Sequence, residues 1–256
     1  GDIFNLNFIG AFLGSMLMVY ALGWALGWLE GRADGPEVNS LQALNASFSN
    51  TGYMGIPLFL AAWGADHLLP AIIATVIMSV VMIGLAVITM EMARSHGHGL
   101  GRAFASVGKG LIKNPLIVSS LAGLAWNLTG LAVPQPVVNL CQLTGAAAGP
   151  CALFAIGVFL AGRPLELGLR HVGWMVPLKL LVHPLLAWGL IETVFPLDRF
   201  WTGATLLLAA LPTGALTFVM ANQYKVYVER TSQVILLSTI ASVPVLSVIL
   251  VVYASR

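Results

Sequence analysis

Charge is what this sequence has least of. Only 9% of its 256 residues are Asp, Glu, Lys or Arg, whereas a soluble domain carries about 25%. That shortage excludes an ordinary water-facing globular surface. The ten acidic residues are Asp2, Glu30, Asp34, Glu37, Asp66, Glu91, Glu166, Glu192, Asp198 and Glu229, and all fall at the ends of apolar runs or between them. With no carboxylate at the centre of a run, proton or sodium coupling through the usual intramembrane Asp or Glu is excluded for this stretch of chain. Cys141 and Cys151 have neither a CxxC spacing nor other metal ligands beside them, so they read as packing residues. HExxH and GxSxG arrangements are absent, which leaves an intramembrane enzyme built on Lys179, His183 and Glu166 without a motif behind it. No cleavable signal peptide is visible. The chain opens at Gly1 without Met, so further sequence upstream is expected.

What is abundant is apolar length. The chain is 58% hydrophobic with a mean hydropathy of +0.90. A bilayer core about 30 Å thick needs roughly 20 apolar residues per helix. Eight windows meet that need: 3–29, 41–63, 68–92, 115–131, 145–160, 172–194, 202–221 and 232–252. Their apolar runs are continuous and do not alternate, which favours helices over a β-barrel. The expected fold class is therefore an all-α polytopic membrane protein.

The net charge of +2 says less than where the charges fall. If connections alternate sides, one side receives Arg32, Arg94, Arg102, Lys109, Lys113, Arg163, Arg170, Lys225 and Arg230, and the other only Arg199 and Arg256. The positive-inside rule makes the first side cytoplasmic and leaves both ends of the chain outside. Lys179 falls inside a window.

The longest polar connection, 93–114, contains His96 and His98 in SHGHG. Two histidines without further ligands read as a solvated loop and not a metal site. This connection separates three windows, in 1–92, from five, in 115–256. The second window holds Asn50, Thr51, Gly52 and Pro57, and the seventh holds Pro212, Thr213 and Gly214, followed by Asn222. Each interrupted window is the last but one of its half, as expected for structural repeats of a transporter. A complete first repeat would have five helices, putting two more upstream of Gly1, and an odd number per repeat makes the repeats inverted.

Proline and glycine break helices, and backbone groups freed inside a bilayer must face protein or a water-filled cavity. A half-helix start there offers amides and partial positive charge to an anion. Asn50 and Thr51 can cap one such start and donate to a ligand, and Thr213 can do so from the other half. Ser47, Ser49, Gly52 and Gly55 can equally serve close helix packing, and Asn222 can be interfacial. Lys179 and His183, four residues apart, share a helix face. A basic residue in a span is a functional candidate, although the Lys179 stem is long enough to snorkel to the cytoplasmic surface.

Five stretches then acquire a likeness: Asn50-x-Gly52-x-x-Gly55-x-Pro57, Lys113-Asn114-Pro115, GPCALFAIGVFLAG, ALPTGALTFVMANQY and SQVILLSTIASVPVL. Together they resemble the auxin efflux carrier family, which includes plant PIN-formed auxin exporters and bacterial carriers of malonate and malate. The resemblance implies ten helices in two inverted five-helix repeats, related to bile acid sodium symporters, of which the eight windows would be helices three to ten. It implies broken helices that cross near Asn50, Pro57 and Pro212, a cytoplasmic central loop, and elevator-type alternating access. A basic residue at the place of Lys179 also fits the family. The expected site is thus Asn50, Thr51, Gly52, Pro57, Pro212, Thr213 and Gly214, with Lys179 and Asn222 as candidates. Expected partners are a small organic anion, the lipid bilayer and a second copy in a homodimer. The coupling ion is left open, and no cofactor, metal or nucleic acid is expected. A sodium-coupled bile-acid-type symporter and an anion channel are the alternatives.

Overall fold

The computed structural model describes residues 5–30, 35–94, 115–160 and 172–254. These are helical nearly throughout, and the described residues contain no strand beyond one isolated bridge. The helices are α1 (Leu6–Glu30), α2 (Pro36–Ser47), α3 (Ile56–Trp63), α4 (Leu69–Ile77), α5 (Ile83–Arg94), α6 (Pro115–Leu128) and α7 (Gln135–Leu160). They are followed by α8 (His183–Thr193), α9 (Arg199–Ala210), α10 (Leu216–Tyr224) and α11 (Val228–Tyr253).

Among the described residues, four stretches are long and apolar enough to cross a membrane: Leu6–Glu30, Leu69–Ala93, Met175–Thr193 and Val228–Tyr253. At 1.5 Å per residue, the 25 residues of α1 reach about 37 Å, more than a bilayer core. These stretches coincide with windows 3–29, 68–92, 172–194 and 232–252. Two of them contain a π turn, Met78–Met82 between α4 and α5 and Leu178–Val182 just before α8. The π turn loosens the helix without ending it.

Windows 41–63 and 202–221 are not continuous helices. The first is divided between α2 and α3, the second between α9 and α10. Helix α2 also starts five residues earlier than its window, at Pro36, because Gly35 turns the chain at φ 83° and proline is preorganised for a first helical turn. Its early residues Asn39, Ser40 and Gln42 are buried, so hydropathy alone does not mark them.

The core sits where α1, α2, α5 and α9 meet, around Phe8, Phe12, Met16, Leu41, Leu44, Met82, Leu207 and Leu208. Helices α1 and α2 approach closely at Gly23, where a Cβ would lie only 3.0 Å from the Ala43 Cα. Buried hydroxyls add polar links that are useful in an apolar medium. Tyr20, Ser40 and Thr89 join α1, α2 and α5, with oxygens 2.6 to 3.2 Å apart. The connection 93–114 lies outside the described residues from position 95 onward, as do Arg32, Lys113, Asn114, Arg163, Arg170 and Arg256.

Candidate functional site

Helix α2 ends at Ser47, where Phe48 turns extended (φ −76°, ψ 107°). The chain then passes through Ser49 and Asn50 into a π turn, Thr51–Gly55, and resumes as α3 with Pro57 in its first turn. Helix α9 ends at Ala210, Leu211 turns extended (φ −58°, ψ 148°), and α10 resumes at Leu216. The amide that Pro212 lacks and the conformation proline imposes on its predecessor both end a helix there.

The two interruptions lie against each other. Ser49 and Thr213 form an antiparallel bridge. The Asn50 N–H donates to the Pro212 carbonyl at 2.9 Å, and the Gly214 N–H donates to the Phe48 carbonyl at 3.0 Å. Each break therefore satisfies backbone groups that the other exposes, at about 1–3 kcal/mol for every buried group that would otherwise go unpaired. Side chains finish the job. The Thr213 hydroxyl donates to the Asn45 carbonyl at 2.8 Å, and the Thr213 N–H donates to the Ser238 hydroxyl at 3.1 Å. Gly214 permits the approach: a Cβ on it would lie 2.7 Å from the Phe48 ring and 3.3 Å from the Asn50 Cα.

Beside this junction is a cavity of about 160 Å³. Ser49, Asn50, Thr51, Gly52 and Tyr53 line it from the first break, Thr75 and Ser79 from α4 and the π turn after it, and Ala215 and Leu216 from the second. Its wall carries unused hydrogen-bonding capacity. The Ser49 hydroxyl is buried without a partner, and the Asn50 amide and Thr51 hydroxyl make no side-chain hydrogen bond among the described residues. The starts of the π turn and of α10 both border the cavity. The Thr51, Thr217 and Phe218 N–H groups there already donate to the Ser49, Gly214 and Ala215 carbonyls, and the Gly52, Tyr53 and Leu216 N–H groups have no such backbone acceptor among the described residues. Among the described residues, no charged side chain lines it. The arrangement suits a small anion held by amides, hydroxyls and dipoles.

Of the residues expected at the site, Asn50, Thr51 and Gly52 line the cavity. Pro212, Thr213 and Gly214 form the junction behind it. Pro57 is exposed on α3. Asn222 is exposed too, and its amide oxygen accepts from Lys225 at 3.1 Å. Two expectations need correction. Neither break has a side-chain cap, because the backbone bridge positions these segments and Thr213 is engaged with Asn45. Lys179 does not snorkel: it is fully buried, and its Nζ donates to the Ala209 carbonyl at 2.6 Å. Among the described residues, no group of three or more His, Cys, Asp or Glu side chains is arranged to hold a metal. Thr75, Ser79 and Tyr53 were missed by sequence reasoning. Thr75 and Ser79, hydroxyls four residues apart in the middle of a window whose other polar residues, Thr89 and Glu91, lie near its end, carried the available signal.

A family model described as "Membrane transport protein" matches residues 101–250. A Rhizobium meliloti (strain 1021) protein named "Putative malonate transporter" is 33% identical over 204 residues, covering 80% of this chain and 64% of that protein. A Methanothermobacter thermautotrophicus protein named "Uncharacterized transporter" is 27% identical over 208 residues, covering 80% and 66%. "Auxin efflux carrier component 6" of Arabidopsis thaliana is 29% identical over 146 residues, covering 54% and 25%. The chain thus spans just under two thirds of the two prokaryotic relatives and a quarter of the plant one.

Proposed function

The chain belongs to the membrane transport protein family, and from that premise we propose that it carries small organic anions of the malonate, malate or auxin-like class. The membrane is a bacterial cytoplasmic membrane, with both ends of the chain outside and the 93–114 connection inside. The observation that carries the reading is the cavity at the paired breaks, where unpartnered hydroxyl and amide groups meet two helix starts and, among the described residues, no acidic side chain competes with an anion. The relative named for malonate gives the acid its first candidate.

Size narrows the class. About 160 Å³ holds roughly five waters at ~30 Å³ each, the scale of a short-chain dicarboxylate. It is well below the ~300–1,000 Å³ of sites for drug-sized ligands. Malonate and malate should therefore bind in preference to indole acetate. In this reading Asn50, Thr51 and the half-helix starts hold the carboxylate, while Pro212, Thr213 and Gly214 fix the second break. The eight apolar windows are helices three to ten of a ten-helix fold of two inverted repeats whose broken helices cross, the assembly is a homodimer, and the cavity moves by an elevator-type displacement.

A thermal-shift screen of the full-length protein tests it. A ligand at 100 times its Kd stabilises the folded state by about 2.7 kcal/mol, so malonate or malate should raise Tm by several degrees and indole acetate by less. No shift with any carboxylate, with or without sodium, contradicts the assignment.

A further inference from the structure

The cavity makes no use of two basic side chains in the spans. Lys179 and His183 are both fully buried. The Lys179 Nζ lies 2.6 Å from the Ala209 carbonyl oxygen and 3.1 Å from Nδ1 of His183. The other ring nitrogen of His183, Nε2, is sealed and has no hydrogen-bond partner. The imidazole stacks on Phe12, with ring centroids 6.3 Å apart.

Among the described residues, no carboxylate neutralises this pair. The elements packed against it are α1, α2, α9 and α11. Their ionisable groups are Tyr20 and Glu30 on α1, Glu37 on α2, Arg199 on α9 next to its cap Asp198, and Glu229, Arg230 and Tyr253 on α11; Glu192 is on α8 itself. All but Tyr20 lie at helix ends, and the Tyr20 hydroxyl is bonded to Ser40 and Thr89.

At 3.1 Å one nitrogen donates and the other must offer a lone pair, so the two groups cannot both be cations and keep this contact. The pair has two states. An amine and a neutral imidazole carry no charge. One added proton gives an ammonium that donates to the Ala209 carbonyl and to Nδ1, with the ring hydrogen on Nε2. The second state buries a positive charge with no counter-ion, which is costly alone. Ala209 stands three residues before Pro212, whose carbonyl accepts from Asn50 of the cavity wall. The proton site and the cavity therefore meet at one short break.

We propose that Lys179 and His183 form a proton-binding site that couples proton movement to movement of the organic anion. The inference rests on the carrier reading above. A proton on the pair offsets one of the two carboxylate charges of malonate in the cavity, so the loaded protein crosses with one negative charge in place of two. One proton should accompany each malonate.

The test uses the full-length protein in proteoliposomes, with the membrane potential clamped by potassium and valinomycin, a trapped pH dye and labelled malonate. The wild type should acidify the lumen as malonate enters. Lys179→Met and His183→Gln should each lose at least nine tenths of the proton flux per malonate moved. Lys179→Arg, which keeps a fixed charge if the others fail to fold, should lose it too. Malonate flux with no proton, or an unchanged proton-to-malonate ratio in the variants, overturns the coupling and leaves the carrier reading intact. If no acid moves at all, the carrier reading fails, and the pair is judged by ¹⁵N NMR of histidine-labelled protein. The His183 ring should then change protonation with pH in a manner altered by Lys179→Met, and a ring that stays in one state overturns the inference.

Discussion

Asn50 connects the backbone junction to the cavity. Its N–H reaches the Pro212 carbonyl and its own carbonyl accepts from Met54 and Gly55 at 3.2 and 3.0 Å, so the main chain is fixed while the side-chain amide stays available at the cavity. A hydrogen bond to a charged group contributes about 1.5–3 kcal/mol. Asn50→Ala should therefore weaken carboxylate binding by roughly 10- to 100-fold with little change in Tm, measured by titration of the thermal shift. Gly214 has the reverse profile. Gly214→Ala places a methyl group against the Phe48 ring, and overpacking of this kind costs about 1–3 kcal/mol. Its signature should be a lowered Tm in detergent before any loss of affinity.

Among the elements, the paired breaks show what local sequence reveals and what it does not. That windows 41–63 and 202–221 are interrupted was legible, because Gly52, Pro57, Pro212 and Gly214 disfavour a continuous helix wherever they occur. The partner of each interruption was not, since Ser49 and Thr213 are 164 residues apart and their bridge is set by tertiary packing. The same holds for Thr213, a plausible cap by pattern whose hydroxyl is directed instead to Asn45. Thr213→Val keeps the shape and removes that donor. It should destabilise the protein by about 1–3 kcal/mol through the unpaired Asn45 carbonyl, read as a lower Tm. Thr213→Ser should restore most of the loss. The i,i+4 spacing correctly put Lys179 and His183 side by side. The acceptor on Ala209, which keeps Lys179 from the surface, belongs to another helix and leaves no trace in the local pattern.

For the whole molecule, continuous hydropathy was a sufficient guide to the four candidate spans among the described residues, because a bilayer imposes a length and an apolar composition on any unbroken helix. The polar cavity had to be inferred from departures from that rule, and its third wall, Thr75 and Ser79, departs by only two hydroxyls. An anion site made of dipoles and uncharged donors binds small carboxylates selectively only if the cavity stays small. Ser79→Ala, which enlarges it and removes a hydroxyl, should narrow the margin between malonate and indole acetate. The central claim is that this cavity is where an organic anion is carried, and counterflow of labelled malonate by the full-length protein in proteoliposomes addresses it most directly. The account predicts saturable uptake accelerated by unlabelled malonate inside and reduced at least tenfold by Asn50→Ala combined with Thr51→Val. Counterflow that the double variant leaves unchanged would contradict it.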